Sequence, residues 1–164
     1  MNEPAPFPRV LSLLQEKGLT LSAAESCTGG WFSKCMIDLP GASTVFLGGV
    51  VSYTNDVKMR LLGVPESLLA AYTAVSAPVA CAMAEGAAHA TGADIGISVT
   101  GLAGPDGGTE EIPVGRVYIG VFRGGKSNAV TLSLSGDRTE IRREAVRRMA
   151  LTLVKILSAE ENEI

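Results

Sequence analysis

The segment LTLSAAESCTGG (residues 19–30) decides the fold, because it changes from strand to turn to helix within a short stretch. Leu19–Ala24 has the apolar character of a short strand. Thr28-Gly29-Gly30 ends that strand and precedes a predicted helix that runs through Ile37. Strands that lead directly into helices are typical of α/β domains. The segment therefore predicts an α/β fold with polar side chains at the end of a strand.

The rest of the chain also alternates helices with strands. Periodicity and capping residues predict helices over Phe7–Lys17, from an N-cap at Asn55 to Gly63, over Pro65–Tyr72, over Ala77–Thr91 with Ser76 as N-cap, and from Asp137 onward. Further strands are predicted over Gly48–Tyr53, Ile95–Thr100, Val114–Arg123 and Val130–Ser135. The last two strands are predicted to form an antiparallel hairpin around Gly124-Gly125. The outer face of the last helix is predicted to be covered mainly by Arg142, Arg143, Arg147 and Arg148. We predict a three-layer α/β/α domain with a mixed, part antiparallel sheet.

The composition excludes several classes of protein. Hydrophobic residues make up 46% of the 164 residues and charged residues 19%, which predicts one globular domain over 1–164 with a frayed polar tail at 159–164. The net charge of -3 argues against nucleic-acid binding. We find no long apolar run, no signal peptide and no CxxC pair, which predicts a cytoplasmic protein with reduced thiols and no membrane contact. The single histidine, His89, excludes a zinc site built from several histidines, and we expect no metal or cofactor.

Ser26 follows the first predicted strand and lies where the next helix is expected to begin. At such a place the hydroxyl is exposed and the free backbone N–H groups of Cys27–Gly30 point outward. The turn can bind an anion or form an oxyanion hole beside a serine nucleophile, although a serine that only caps a helix explains it too. We assign Ser26 as the candidate nucleophile and Thr28, Gly29 and Gly30 as substrate-binding donors. Cys27 ranks second as nucleophile.

Lys58 is the candidate for the base that a serine nucleophile needs. It lies in the first turn of the helix capped by Asn55, where a cation meets the positive end of the helix dipole at a cost of about 0.3–1 kcal/mol. The same field, together with burial, lowers a lysine pKa toward the range of a general base. A solvated surface lysine explains the position equally well. Tyr53 is assigned to orienting this base or stacking on a substrate ring, and Asn55 to substrate binding.

A glycine-rich loop follows the strand that ends at Thr100. Its glycines allow backbone N–H groups to approach a ligand, but its spacing matches neither a Walker loop nor a Rossmann turn. Arg138 begins the last helix, again the unfavourable end for a cation, and can reach a phosphate or carboxylate. A simple turn and a salt bridge to Asp137 or Glu140 remain alternatives. The candidate substrate-binding residues of this region are Thr100, Gly101, Gly104, Pro105, Gly107, Gly108 and Arg138.

With these residues assembled, the chain resembles the C-terminal domain of the CinA family, particularly its stand-alone nicotinamide-nucleotide amidohydrolases. The matching blocks are AESCTGGW at 24–31, GVVSYTNDVKMRLLGV at 49–64, AVSAPVACAMAEGA at 74–87, VTGLAGPDGGTEEIPVGRVYIGV at 99–121 and SGDRTEIRREA at 135–145. The resemblance implies an α/β/α fold and hydrolysis of nicotinamide mononucleotide to nicotinic acid mononucleotide and ammonia without metal. It also implies a serine–lysine pair, here Ser26 and Lys58.

Two positions depart from the family pattern. The family usually has lysine where Ile112 stands and a small residue where Arg116 stands. If that lysine contacts substrate in the family, affinity or substrate preference is expected to differ here, and Arg116 is a candidate to compensate. Two other functions remain open: a non-catalytic nucleotide-binding or adaptor module, and an amidase with a different substrate. The expected partner is a small-molecule nucleotide, and homo-oligomerisation is left open.

Overall fold

The computed structural model describes residues 6–159, and the predicted tail at 159–164 lies almost wholly outside them. The helices are α1 Pro6–Lys17, α2 Trp31–Ile37, α3 Asn55–Leu62, α4 Glu66–Tyr72, α5 Ala77–Thr91 and α6 Arg138–Ser158. The strands are β1 Leu21–Glu25, β2 Phe46–Val51, β3 Ile95–Gly101, β4 Arg116–Arg123 and β5 Lys126–Ser133, with a 3₁₀ turn at Ala42–Thr44. None of the helices within residues 6–159 has the length and apolar character needed to cross a bilayer.

The five strands form one mixed sheet in the order β2-β1-β3-β4-β5. Strand β1 pairs in parallel with β2 and β3, whereas β3–β4 and β4–β5 are antiparallel. The carboxyl ends of β1, β2 and β3 therefore share one edge with the start of β4. This edge, which we call the carboxyl edge, brings together residues that are far apart in sequence.

Helices cover both faces of the sheet. Helices α1, α2 and α6 pack on one face around a cluster that includes Leu14, Phe32 and Met149. The other face carries α3, α4 and α5 around a second cluster that includes Leu62 and Met83. The predicted three-layer α/β/α architecture with a mixed sheet is confirmed.

Glycines in the sheet let α5 approach it closely. A Cβ at Gly96 would lie 1.8 Å from the Ala84 carbonyl oxygen, and one at Gly120 would lie 2.2 Å from that of Ala80. Larger residues at these strand positions would push the helix away. Because the helix is close, the Ser98 hydroxyl can donate to the Ala80 carbonyl over 2.6 Å. The N-terminal end of α5 is thereby fixed near the carboxyl edge.

Several predicted boundaries differ from the observed ones, among them β2, which covers Phe46–Val51 and not Gly48–Tyr53. The helix after Ser26 begins only at Trp31, because Gly29 and Gly30 adopt positive φ angles of 61° and 95° and hold the chain in a turn. Thr54, not Asn55, caps α3, since its hydroxyl accepts the N–H of Val57.

The second hairpin strand begins at Lys126 rather than Val130. Gly124 and Gly125 both have positive φ, which allows a two-residue turn that pairs Arg123 with Lys126. The polar composition of residues 126–129 concealed this part of an exposed edge strand.

Candidate active site

Ser26 and Lys58 meet at the carboxyl edge. Ser26 directly follows β1, and its backbone N–H donates to the Val99 carbonyl on β3. The side chain of Lys58 extends inward from α3, and its Nζ lies 3.1 Å from Ser26 Oγ and 2.6 Å from the carbonyl oxygen of Ser52. Ser52 follows β2 and donates its own N–H to the Glu25 carbonyl. The ends of two adjacent strands thus fix both partners of the lysine.

The surroundings of Lys58 favour its neutral form. Its side chain is 1% exposed, and no carboxylate of residues 6–159 forms an ion pair with it. Burial lowers the pKa of the Lys58 ammonium from its ordinary value. A neutral amine would donate to the Ser52 carbonyl and accept the Ser26 hydroxyl proton. This is the arrangement that a general base requires.

Glu25 is a fully buried carboxylate that organises the turn after β1. Its Oε2 accepts the Thr28 hydroxyl at 2.6 Å and the N–H groups of Gly30 and Phe32 at 3.1 Å. Its Oε1 accepts both the N–H and the hydroxyl of Ser33 at 2.8 Å. The positive end of α2 is therefore satisfied from within the protein.

This arrangement corrects the predicted set of oxyanion donors. The Gly30 N–H and the Thr28 hydroxyl are used by Glu25, and the Gly29 N–H donates to the Ser26 carbonyl. Within the described part of the chain, the backbone N–H groups of Cys27 and Thr28 find no acceptor in another residue. Of these two residues only Cys27 retains any exposure, because Thr28 is fully buried.

Arg142 was assigned with its neighbours to the outer face of the last helix, but it holds the opposite side of this turn. Its Nε donates to the Cys27 carbonyl at 2.9 Å, and a terminal nitrogen donates to that of Thr28 at 3.2 Å. Its guanidinium lies 5.5 Å from the centre of the Trp31 ring. In a trans peptide the N–H points away from the preceding carbonyl, so Arg142 directs the Thr28 N–H away from α6.

Cys27 does not have the environment of a nucleophile. Its side chain is 7% exposed, and burial raises the pKa of the thiol to about 11. The thiol is therefore protonated at neutral pH, and the thiolate is the reactive form. Ser26 therefore remains the candidate nucleophile.

The remaining residues assigned near the base have different environments. Tyr53 is 65% exposed and Asn55 is exposed, and neither side chain has a hydrogen bond to another residue of the described chain. The Thr100 hydroxyl donates to the Ala74 carbonyl at 2.7 Å, so its proton is not available to an oxyanion. Tyr53 and Asn55 therefore remain predicted contacts to a bound substrate, whereas Thr100 supports the α4–α5 connection.

The glycine-rich loop leaves β3 at the same edge. Gly104 is buried and has a φ of 72°, while residues 105–108 are exposed. Arg138 donates to the Gly104 carbonyl at 2.6 Å and not to Asp137 or Glu140, which pair with each other in a capping box. Pro105, Gly107 and Gly108 thus lie on a loop anchored by Arg138, whose remaining guanidinium donors are exposed.

Three missed residues left only weak signals in the sequence. Glu25 is an acid at the end of an apolar strand, where a following helix N-terminus would attract it. Ser52 contributes its backbone carbonyl, which leaves no signature in side-chain chemistry. Arg142 could have been found because it lies one helical turn after Arg138.

Surface concavities do not by themselves identify this site. A concavity of about 560 Å³ between the β4–β5 hairpin and α6 contains neither Ser26 nor Lys58. A more open one of about 420 Å³ is lined by Thr28–Trp31, Lys34 and Arg142. The serine–lysine pair lines neither of these two concavities.

Fold and site define a three-layer α/β domain with a serine–lysine pair at the carboxyl edge of its sheet. The family model for the CinA C-terminal domain matches residues 7–157, and the chain belongs to the CinA C-terminal domain family. A CinA-like protein of Dictyoglomus turgidum is 52% identical over 133 residues, which are 81% of this chain and 32% of that protein. A putative competence-damage inducible protein of Symbiobacterium thermophilum is 51% identical over 149 residues, covering 85% and 35%. The chain spans about a third of the length of these curated relatives.

Solved structures of similar proteins superpose on almost the whole of this domain. The competence/damage inducible protein CihA from Agrobacterium tumefaciens superposes with a TM-score of 0.89 at 36% identity, covering 94% of each chain. A competence damage-inducible protein from Klebsiella pneumoniae gives 0.91 at 30% identity, covering 95% of this chain and 97% of that one. The similarity to CinA-superfamily proteins is therefore shown for sequence and fold.

Proposed function

We propose that this domain is an amidohydrolase that converts nicotinamide mononucleotide to nicotinic acid mononucleotide and ammonia. The observation that carries the proposal is the 3.1 Å contact between Ser26 Oγ and the Nζ of a buried lysine without a carboxylate partner among the described residues. Neutral lysine beside serine is an arrangement suited to acyl transfer. The choice of the nicotinamide nucleotide rests on the resemblance to the CinA-family amidohydrolases.

In the first half-reaction, the Ser26 hydroxyl proton moves to Lys58 Nζ while Oγ bonds to the carboxamide carbon. The backbone N–H of Cys27, which has no acceptor in another residue of the described chain, stabilises the resulting oxyanion. The C–N bond then breaks as Lys58 returns the proton to the leaving nitrogen, which releases ammonia and leaves an ester on Ser26.

In the second half-reaction, Lys58 takes a proton from water as the water oxygen attacks the ester carbon. The bond between that carbon and Oγ breaks, and Ser26 recovers its proton from Lys58. The carboxylic acid product releases the second proton of the water to solvent and leaves as a carboxylate. The anionic end of the nucleotide lies against the loop 101–108, which Arg138 anchors.

Ammonia release from a panel of amide-bearing nucleotides tests the proposal. We expect turnover of nicotinamide mononucleotide, unaffected by metal chelation, and a loss of about 10³-fold or more for Ser26→Ala. Ser43→Ala is the matched control, because Ser43 is exposed. Ligand binding without turnover would favour the adaptor function, whereas turnover of another amide only would keep the mechanism and change the substrate.

A further inference from the structure

Arg116 is a partly buried cation whose charge is not balanced within the described chain. It begins β4, and its Nε is buried without a hydrogen-bond acceptor. No carboxylate of residues 6–159 lies within ion-pair distance of its guanidinium. An uncompensated cation in such a place is costly to the folded protein, and an orphaned buried donor calls for a partner. The terminal nitrogens of the same guanidinium are not among the buried unpaired atoms, so an anion from outside can reach them.

The alternation of β4 shows which face of the sheet Arg116 occupies. Val117 and Ile119 belong to the core cluster on the side of α6. Gly120 faces α5, since a Cβ there would meet the Ala80 carbonyl. Side chains two residues apart on a strand point to the same face, and Arg116 lies four residues before Gly120, so Arg116 also projects toward the α5 face.

Ser26 lies on this same face. Ala24, two residues earlier on β1, packs with Leu62 and Met83, and Lys58 reaches Ser26 from α3. The nucleophile and the unpaired arginine therefore share one face at the carboxyl edge of the sheet.

The register of the strands gives their separation. Glu25 aligns with Val99 and Thr100 aligns with Tyr118, so Ser26 and Arg116 are two strands and two residues apart. With strands about 4.8 Å apart and a rise of about 3.3 Å per residue, their Cα atoms lie roughly 12 Å apart. An amide-bearing ring joined to a ribose phosphate can bridge this span. Arg116 also adjoins the glycine-rich loop, because its carbonyl accepts the Leu102 N–H.

We propose that Arg116 binds the phosphate of the amide substrate and makes this site select phosphorylated over unphosphorylated substrates. The inference rests on the proposed function, since it assumes that the amide is attacked by Ser26. Arg138 already donates to Gly104 and anchors the loop from the other side, whereas Arg116 has no competing acceptor in the described chain. The two arginines thus have different tasks.

Steady-state kinetics with nicotinamide mononucleotide and nicotinamide riboside test whether Arg116 binds the phosphate. For Arg116→Met we expect a KM for the mononucleotide raised about 10-fold or more, kcat within about twofold and unchanged constants for the riboside. Arg123→Met, at the other end of the same strand, is the matched control and should resemble the wild type. Equal losses for both substrates, or no loss for either, would overturn the role of Arg116.

Thermal unfolding gives a readout that does not need turnover. Without ligand, Arg116→Met should have a Tm equal to or above that of the wild type, because an unpaired buried cation has been removed. Ribose 5-phosphate should raise the Tm of the wild type but not that of the variant. A large fall in Tm without ligand, or an undiminished response to ribose 5-phosphate, would overturn the proposal. If the wild type released no ammonia, the proposed function would fail while this measurement still decided the role of Arg116.

Discussion

Lys58 can accept a proton only in its neutral form, and burial shifts the equilibrium toward that form. At low pH the ammonium would block the transfer from Ser26. We expect kcat/KM to rise with pH and to level off above a pKa that lies below the ordinary lysine value of 10.5. A pH–rate profile measures this. A profile that falls over the same range would contradict the role of Lys58 as base.

Substitution of Lys58 isolates its contribution. Lys58→Met should reduce kcat by about 10³-fold, and Lys58→Arg should be equally inactive because arginine stays protonated. Arg60→Met is the control, since Arg60 lies on the same helix but is exposed and pairs with Asp56. Single-turnover ammonia release distinguishes loss of chemistry from slow product release.

Cys27 provides the matching test of the nucleophile. Because burial holds its pKa near 11, the thiol is protonated at working pH, and Cys27→Ala should keep activity within about threefold. The variant loses some core packing and should be destabilised by about 1 kcal/mol. Loss of activity as severe as that of Ser26→Ala, in a folded variant, would instead favour Cys27 as nucleophile.

At the scale of elements, Glu25 joins the end of β1 to the start of α2. Five hydrogen bonds converge on its two oxygens, and three of their donors are backbone N–H groups. In Glu25→Gln an amide NH₂ replaces one acceptor, so we expect the free energy of unfolding to fall by about 3 kcal/mol and activity to fall with it. Glu85→Gln, on an exposed side of α5, should change stability by less than about 0.5 kcal/mol. Urea denaturation of both variants decides whether Glu25 organises this junction.

The connection between α4 and α5 contains local strain. Thr73 has φ 65° and ψ 168°, a conformation that is unfavourable for a β-branched residue. Its side chain is exposed, so Thr73→Gly loses little packing and should stabilise the domain by about 1 kcal/mol. The same change at Thr131, on the exposed strand β5, should destabilise it. Destabilisation by Thr73→Gly would show that this loop tolerates its conformation without cost.

At the scale of the whole molecule, the sequence predicted the order of the elements and singled out Ser26 and Lys58, whose side chains are in contact in the structure. Alternating apolar strands and capped helices have strong local signals, as Ser76 and the Asp137–Glu140 capping box illustrate. The tasks of Glu25 and Arg142 depend on backbone groups brought close only by folding, so no local pattern contains them. Thr28, Gly29 and Gly30 were predicted to donate to a ligand because a helix N-terminus attracts anions, but the protein's own carboxylate satisfies part of that demand.

The buried lysine also couples the stability of the whole domain to pH. At pH values between the lowered pKa of Lys58 in the folded state and its ordinary value of 10.5, Lys58 is protonated in the unfolded chain but neutral in the folded chain. The free energy of unfolding therefore increases with pH over that range and stops increasing above it. The buried Cys27 thiol has the opposite effect on stability at alkaline pH, because burial raises its pKa from 9.0 to about 11. This thiol is also present in Lys58→Met, so a comparison of the two proteins isolates the lysine. We therefore expect the free energy of unfolding of the wild type to increase relative to that of Lys58→Met as pH rises, measured in urea from about pH 6 to 10. Parallel curves would mean that the lysine pKa is the same in the folded and unfolded states, and the proposed base would lose its physical basis.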